Sequence, residues 1–137
     1  MNEIKSPKFF EAGSAIFTVG NNKGEHYTFR IGRKEETQPL FVSLLTGPQN
    51  TSDYTYLGIY NPTTGSVGLT KASKFNEDSV PVRVVRWALN QVRNNKELPS
   101  GYSIQHAGRC CRCSRVLTTP ESTRLGWGPE CAKLMGV

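Results

Sequence analysis

The stretch His106–Cys131, HAGRCCRCSRVLTTPESTRLGWGPEC, contains all four cysteines of the chain and one of its two histidines. Cys110 and Cys113 form a C-x-x-C pair, a spacing in which a tight turn directs two thiolates at one tetrahedral ion. Cys131 offers a third thiolate, and His106, upstream of the pair, offers an imidazole nitrogen. The spacing predicts a structural zinc site of the Cys3His type with ligands His106, Cys110, Cys113 and Cys131.

The residues around Cys131 predict how that cysteine is held. Gly126 allows backbone angles that other residues avoid, and Pro129 suits the first turn of a helix. A short helix, Pro129–Met135, would place Cys131 in its first turn, where the helix dipole favours a thiolate. A knuckle, a hairpin, a turn at Pro120 and this helix indicate a treble-clef-like module. Such modules usually take two ligands from the helix, and no Cys or His follows Cys131.

Other interpretations of the cysteines stay open. Cys111 is surplus to the set, and its side chain is expected to point away from Cys110 and Cys113, although it could replace a neighbour. The cluster could also form disulfides or remain as free thiols. However, the N-terminal MNEIKSPKFF has charges and a proline where a secretory signal needs an apolar run, and vicinal cysteines pair poorly. Zinc bound in a reducing, cytoplasmic compartment is therefore preferred.

A longer pattern surrounds these cysteines. Its positions are His106, Gly108, Cys110, Cys113, Arg115, Leu117, Thr118, Pro120, Ser122, Gly126, Gly128, Pro129 and Cys131. With them the stretch resembles a family of uncharacterised proteins, frequent in bacteriophages and actinobacteria, whose motif reads roughly H-x-G-x-C-x-x-C-G-R-x-L-T-x-P-x-S-x-x-x-G-x-G-P-x-C. Ser114 departs from it, because the family has glycine there. The resemblance implies a zinc module and a phage-type origin, and it brings no settled activity.

Composition sets broad limits on the rest of the chain. With 137 residues it forms one domain, or one domain plus a small metal module. No apolar run approaches the roughly 20 residues that cross a bilayer, so no membrane partner is expected. A net charge of +6 and a pI near 9.3 favour anionic partners such as nucleic acid, DNA more than RNA. The expected location is the cytoplasm, of the host cell if the origin is a phage.

The remaining sequence predicts an α+β fold: an antiparallel sheet of about five strands packed on one amphipathic helix, followed by the zinc module. Val85, Ala88, Leu89 and Val92 recur at helical spacing within the predicted helix 81–94. The predicted domains are 9–98, the sheet and helix, and 99–137, the Cys3His module. Phe9 and Phe10 are expected to open the β-rich part. The predicted strands are 15–19, 26–31, 40–45, 54–60 and 66–70.

Few residues could catalyse a reaction. His26 and His106 are the only histidines; the first lies in a predicted strand without a nucleophile motif, and the second is a predicted ligand. Glu130, beside Cys131, would suit water activation only if the metal kept an open position. Zinc deaminases combine H-x-E with P-C-x-x-C, and neither pattern occurs here. We therefore expect no catalytic residues and no small-molecule substrate.

Arginines and tryptophans supply candidate contacts to nucleic acid. Arginine forks match phosphate oxygens, and exposed tryptophans stack on bases. Each residue also has a plainer interpretation, because Trp127 could cover the zinc site, Trp87 could be half-buried and the helix arginines could form a solvated face. The tyrosines of YTYLGIY are more often part of a sheet than a stacking platform. The candidates are Arg83, Arg86, Trp87, Arg93, Arg109, Arg112, Arg115, Arg124 and Trp127.

Two functions fit these features. The first is a small, zinc-stabilised, non-catalytic accessory protein of bacteriophage type that binds backbone phosphates. The alternative is a protein-interaction module, an inhibitor or adaptor of a host or viral enzyme, that docks through a sheet edge or the loop Gly126–Trp127. A basic surface suits an acidic protein partner as well as nucleic acid.

Overall fold

The structure is a computed structural model that describes residues 3–4, 6–49, 52–117 and 120–136. Thr118, part of the motif above, lies outside the described residues. None of the helices within them combines the length and apolar character needed to cross a bilayer. In chain order the elements are α1 (Lys8–Glu11), β1 (Ser14–Gly20), β2 (His26–Gly32), β3 (Leu40–Leu45), β4 (Tyr54–Asn61), β5 (Ser66–Gly68), α2 (Val80–Arg93), β6 (Ser103–His106), α3 (Pro120–Leu125) and α4 (Pro129–Met135).

One antiparallel sheet organises the fold, with strand order β5-β4-β3-β2-β1-β6. Consecutive strands pair from β1 to β5, and β6 returns to pair with β1, placing Phe17 opposite His106 and Val19 opposite Ile104. The predicted α+β class with an antiparallel sheet is confirmed. The sheet has six strands and not about five, because the extended segment before the cysteines is itself a strand.

The sequence patterns predicted neither of the two short helices α1 and α3. Phe9 and Phe10 lie in α1 and not in a β segment; both rings are buried, with the Phe10 centroid 4.9 Å from that of Phe17. The predicted turn at Pro120 is part of α3. Hydrophobic burial explains α1, because a one-turn helix directs two adjacent phenylalanines into one core without the alternation that a strand would impose.

Helix α2 packs on one face of the sheet through the predicted stripe. Val85 and Ala88 are fully buried, and Leu89 and Val92 nearly so. Pro81 occupies the first turn, where its missing N–H costs nothing. Each large apolar side chain buried in this way contributes roughly 1.5–3 kcal/mol. The sheet side chains that share the buried core with the helix include Phe17, Phe29, Ile31, Val42 and Ile104.

The other sheet face, here called the open face, carries the alternate residues of β1 to β4. The strand registers place Arg30 beside Ile16 on one side and Ser43 on the other, and Ser43 beside Tyr56. Phe41 is 38% exposed, a larger fraction than for any aromatic ring on the helix-covered face. The open face includes Ile16, Thr18, Thr28, Arg30, Phe41, Ser43, Leu45, Tyr54, Tyr56 and Ile59.

The cysteine-containing segment is joined to the sheet. The Ser14 N–H donates to the Cys111 carbonyl at 2.8 Å, and the Ala107 N–H donates to the Ile16 carbonyl at 3.1 Å. Strand β6, inside the range 99–137 predicted for the zinc module, is an edge strand of the sheet. The module and the sheet therefore share backbone hydrogen bonds along β1.

Candidate functional site

Three cysteine sulfurs converge in the C-terminal segment. The Sγ atoms of Cys110, Cys113 and Cys131 all lie within 4.8 Å of one another. Around an ion with metal–sulfur bonds of about 2.3 Å, tetrahedral thiolates are roughly 3.8 Å apart, so a small contraction of the cluster would accommodate one ion. Cys110 and Cys131 are buried and Cys113 is exposed. The arrangement can hold a metal ion.

A tight backbone turn positions the first two sulfurs. Arg109 and Val116 form a β-bridge across it, the Cys110 N–H donates to the Arg115 carbonyl at 2.9 Å, and the Ser114 N–H donates to the Cys110 carbonyl at 2.9 Å. Ser114 has a φ of 64°, a left-handed conformation that glycine adopts more readily. The serine therefore occupies the backbone conformation that suits the glycine of the motif. We call residues 109–116 the knuckle.

Helix α4 delivers the third sulfur. Its bounds, Pro129–Met135, are those predicted, and Cys131 lies in its first turn. Gly128 precedes the helix in an extended conformation, and Gly136 ends it with a φ of 69°. The first-turn position directs backbone N–H groups and the positive end of the helix dipole toward the thiolate.

The electrostatics differ among the cysteines. Burial opposes ionisation of Cys110, but backbone N–H groups of Gly128, Cys113 and Arg112 lower the pKa of its thiol below the ordinary value. Burial raises the pKa of Cys131 despite a contact from Arg112, whose Nη1 lies 3.6 Å from the sulfur. Three thiolates and a divalent ion carry a net negative charge, which the Arg112 guanidinium would offset.

Cys111 has a different role. Its thiol is fully buried outside the sulfur cluster, and burial together with neighbouring Cys110 raises its pKa strongly. Its backbone N–H donates to the Gly126 carbonyl at 3.0 Å, while its carbonyl accepts from Ser14. All four cysteines are free thiols in the structure. Cys111 therefore fixes the knuckle through its main chain.

His106, the predicted fourth ligand, does not belong to the cluster. Its ring is 4% exposed, with Nδ1 accepting from the Gly108 N–H at 2.9 Å and Nε2 donating to the Thr123 carbonyl. The ring also lies against Phe9, with centroids 5.9 Å apart. These contacts tie β6 to α3 and α1. Burial lowers the pKa of the imidazole, and the bond to Thr123 partly opposes that shift.

The remaining predicted residues do not form one surface. Arg86 donates from Nε and Nη2 to the Val67 carbonyl at 3.1 and 2.8 Å, and Arg93 donates to the carbonyls of Pro62 and Thr63. Both therefore fasten α2 to the β4–β5 edge of the sheet, opposite the edge that carries the knuckle. Arg83 and Trp87 line a separate pocket on the helix side.

The nucleic-acid candidates near the metal site differ in their exposure and in their hydrogen bonds. Trp127 is 2% exposed and belongs to the core, which removes its ring from stacking on bases. Arg109 uses one Nη atom to bind the Ser114 carbonyl at 3.0 Å and keeps its other donors. Arg115 and Arg124 are exposed. Arg109 lies nearest the open face, because it lines a cavity there.

The family comparison covers this segment. Residues 104–136 match the model of DUF6011, a family of unknown function. No curated protein and no solved structure matches the chain. The match spans β6, the knuckle, α3 and α4, so it includes all three clustered cysteines. It agrees with the resemblance to an uncharacterised family.

The open face holds candidate residues that sequence reasoning missed. Arg30 is exposed at its centre and forms no ion pair with any described carboxylate. The rings of Phe41 and Tyr56 meet edge to face with centroids 6.0 Å apart. Arg33 and Lys34 adjoin this face across a second cavity that Arg30 also lines. The signal was the alternation in β2, which places Arg30 opposite the face of Phe29 and Ile31.

Proposed function

We propose that this is a small, zinc-stabilised, non-catalytic nucleic-acid-binding protein of bacteriophage type whose open face binds a single strand. The observation that carries the proposal is that Arg30, which pairs with no described carboxylate, shares one sheet face with the partly exposed rings of Phe41 and Tyr56. Cations neutralise backbone phosphates, and aromatic rings stack on bases whatever the sequence. A flat, sequence-tolerant surface of this kind suits an accessory role.

Zinc is the metal that best suits the cluster. Three thiolates from a knuckle and a helix select a soft or borderline ion, and zinc accepts such sets in tetrahedral structural sites. The bridged pair Arg109 and Val116, followed by a helix that carries Cys131, supports a treble-clef-like module. The burial of Cys110 and Cys131 supports a structural and not a catalytic role for the ion.

Charge on the open face supports an anionic ligand. Its strand residues include Arg30 and no Asp or Glu, and the adjoining cations Arg33, Lys34 and Arg109 extend the positive surface on two sides. The chain as a whole carries a net charge of +6. A single strand fits better than a duplex, because its bases are free to lie on Phe41 and Tyr56.

The test is fluorescence anisotropy with labelled single- and double-stranded DNA and RNA over a series of salt concentrations. We expect single strands to bind most tightly and the affinity to fall steeply with salt, since counterions are released. Phe41→Ala and Arg30→Gln should each weaken binding, whereas Arg93→Gln, on the opposite face and edge, should not. Unchanged affinity in both open-face variants would contradict the proposal.

The protein-interaction alternative makes the opposite prediction. No binding to any nucleic acid at low salt would favour an adaptor or inhibitor. Its predicted loop, Gly126–Trp127, is buried, so a partner would have to use another surface. Capture of an acidic protein that Arg30→Gln does not weaken would support that alternative.

A further inference from the structure

A cavity of about 460 Å³ lies on the open face where the knuckle overhangs β1. Its floor is formed by β1 and β2, and Tyr54 closes it from β4. Ala107, Arg109 and Ser114 form the wall on the knuckle side. The volume falls within the range of about 300–1,000 Å³ that is usual for small-molecule sites. It is large enough for a nucleotide and is blocked on one side by the knuckle.

The polar groups that line the cavity are hydroxyls and guanidinium groups, set among the apolar side chains of Ile16, Leu45 and Ala107. Arg30 enters from the sheet and Arg109 from the knuckle, and the described lining contains no carboxylate. Thr18 and Thr28 share one hydrogen bond of 2.8 Å between their hydroxyls, which leaves one of the two O–H groups available. The walls thus match a small anion with several acceptor oxygens.

Tyr54 supplies an independent observation. Its hydroxyl oxygen is buried and has no hydrogen-bond partner within the described residues, the one side-chain atom there for which this is so. Burial raises the pKa of this phenol while nearby Arg30 lowers it, so the group stays protonated at neutral pH. A buried hydroxyl without a partner costs free energy unless a ligand or water satisfies it. Tyr54 lines the same cavity as the two arginines, and a rotation of its ring would bring the unused donor to the cavity surface.

We infer that this cavity binds the phosphomonoester of a nucleotide, with Arg30 and Arg109 on either side of the phosphate and the Tyr54 hydroxyl donating to it. A monoester is nearly a dianion at neutral pH and has three terminal oxygens. Two guanidinium groups and a phenol fit that charge and that number of acceptors better than they fit an internal diester, which carries one charge. The knuckle wall also suits a strand end more than a passing strand.

The inference rests on the proposed function, from which it takes nucleotides as the class of ligand. It adds a specific site for the phosphomonoester. The phosphomonoester could belong to a free mononucleotide or to the end of a strand. Calorimetric titration of the metal-loaded full-length protein with dTMP and with thymidine tests the first source. Ten-nucleotide oligothymidylates with a 5′-phosphate, a 3′-phosphate or no terminal phosphate test the second.

We expect a terminal phosphate at one end to tighten oligonucleotide binding about tenfold, and Arg30→Gln, Arg109→Gln and Tyr54→Phe each to remove that gain. Arg93→Gln is the matched control and should keep it. Binding of dTMP but not thymidine, abolished by the same variants, would identify free nucleotides as a source. Melting temperatures close to that of the wild type would exclude misfolding as the cause.

Two outcomes are distinguishable. If all three oligonucleotides bind equally and dTMP does not bind, the phosphomonoester site is refuted while the proposed function stands. If no oligonucleotide binds but dTMP binds and thymidine does not, the cavity is confirmed and the proposed function fails. Loss of the terminal-phosphate gain in Arg93→Gln would also count against the cavity, because that side chain lies at the far edge of the sheet.

Discussion

Ser14, near the start of the chain, donates its backbone N–H to the carbonyl oxygen of Cys111 at 2.8 Å. The side chains of Ser14 and Ser114 are also hydrogen bonded to each other. Cys111 in turn donates to Gly126, which leads into the helix that carries Cys131. Cys111, which lies outside the sulfur cluster, is thus one of the links between the first strand and that cluster. Loss of the metal should therefore also destabilise the sheet.

The first prediction concerns the metal. Cys113→Ser removes one of three converging thiolates, so zinc should fall from about one ion per chain to near zero and the melting temperature should drop. Cys111→Ala is the matched control. It should retain zinc and lose about 1 kcal/mol of stability through the small cavity that the substitution leaves. Elemental analysis and thermal unfolding measure both quantities. Reduced wild-type protein that contains no zinc would refute the cluster.

A second prediction separates two roles for His106. Because its ring nitrogens bond to Gly108 and Thr123, His106→Gln should keep the zinc and lower the thermal stability. A zinc chelator titration compares the affinities of the variant and the wild type. A large loss of zinc affinity in His106→Gln would show instead that the histidine is the fourth ligand.

The third prediction is a pH dependence from the same histidine. The pKa of His106 in the folded protein is lowered by burial, so the unfolded chain binds the proton more tightly. Its contribution to stability is full above the unfolded pKa of about 6.5 and is lost as the pH falls toward the folded pKa. The free energy of unfolding by urea should decrease between pH 7.5 and 5.5 more in the wild type than in His106→Gln. Parallel profiles would show that this group does not titrate as described.

Counterion release supplies a fourth prediction. Arg30→Gln should make the slope of log affinity against log salt shallower by about one, because one phosphate contact is lost. Arg93→Gln should leave the slope unchanged and reduce stability, because it loses bonds to the carbonyls of Pro62 and Thr63. Anisotropy at four salt concentrations measures each slope. Equal slopes in the wild type and Arg30→Gln would place the phosphate contacts elsewhere.

The fifth prediction tests the approach to α4. Gly126 has a φ of 79°, and an added Cβ would lie 3.0 Å from the ring of Phe9. Gly126→Ala should therefore combine backbone strain with a clash and cost more than Gly136→Ala, which has a φ of 69° and open space around it. The control should lose about 1–2 kcal/mol from the left-handed backbone alone. Chemical denaturation gives the two values, and equal losses would show that Phe9 moves aside.

Local patterns predicted the sheet and α2 well, because alternation and helical spacing are properties of neighbouring residues. Strand β6 was not among the predicted strands, because its pairing with β1 depends on a contact across most of the chain. The helix α1 lacked any periodic signal, since burial of Phe9 and Phe10 against distant strands determines it. The spacing of the cysteines identified the three sulfurs. It could not show that His106 faces α3, because that depends on where the chain returns.

Local sequence patterns also could not predict which residues share the open face. Alternation in β2 separated Arg30 from Phe29, but it did not reveal which strands lie beside Arg30 or which rings share its side. Those neighbours, Ser43 and Tyr56, come from strand order and register. The arginines of α2 looked like a binding surface by composition. In the structure Arg86 and Arg93 bind carbonyl oxygens, which a sequence pattern cannot distinguish from solvation.

The position of β1 between β2 and β6 has a consequence for how the protein is made. A ribosome releases the first five strands well before Ser103–His106 emerges, so during synthesis one side of β1 has hydrogen-bonding groups with nothing to pair with. That side is covered only when the last quarter of the chain has emerged and metal has been bound. Translation arrested in this interval should yield products prone to aggregation and to proteolysis.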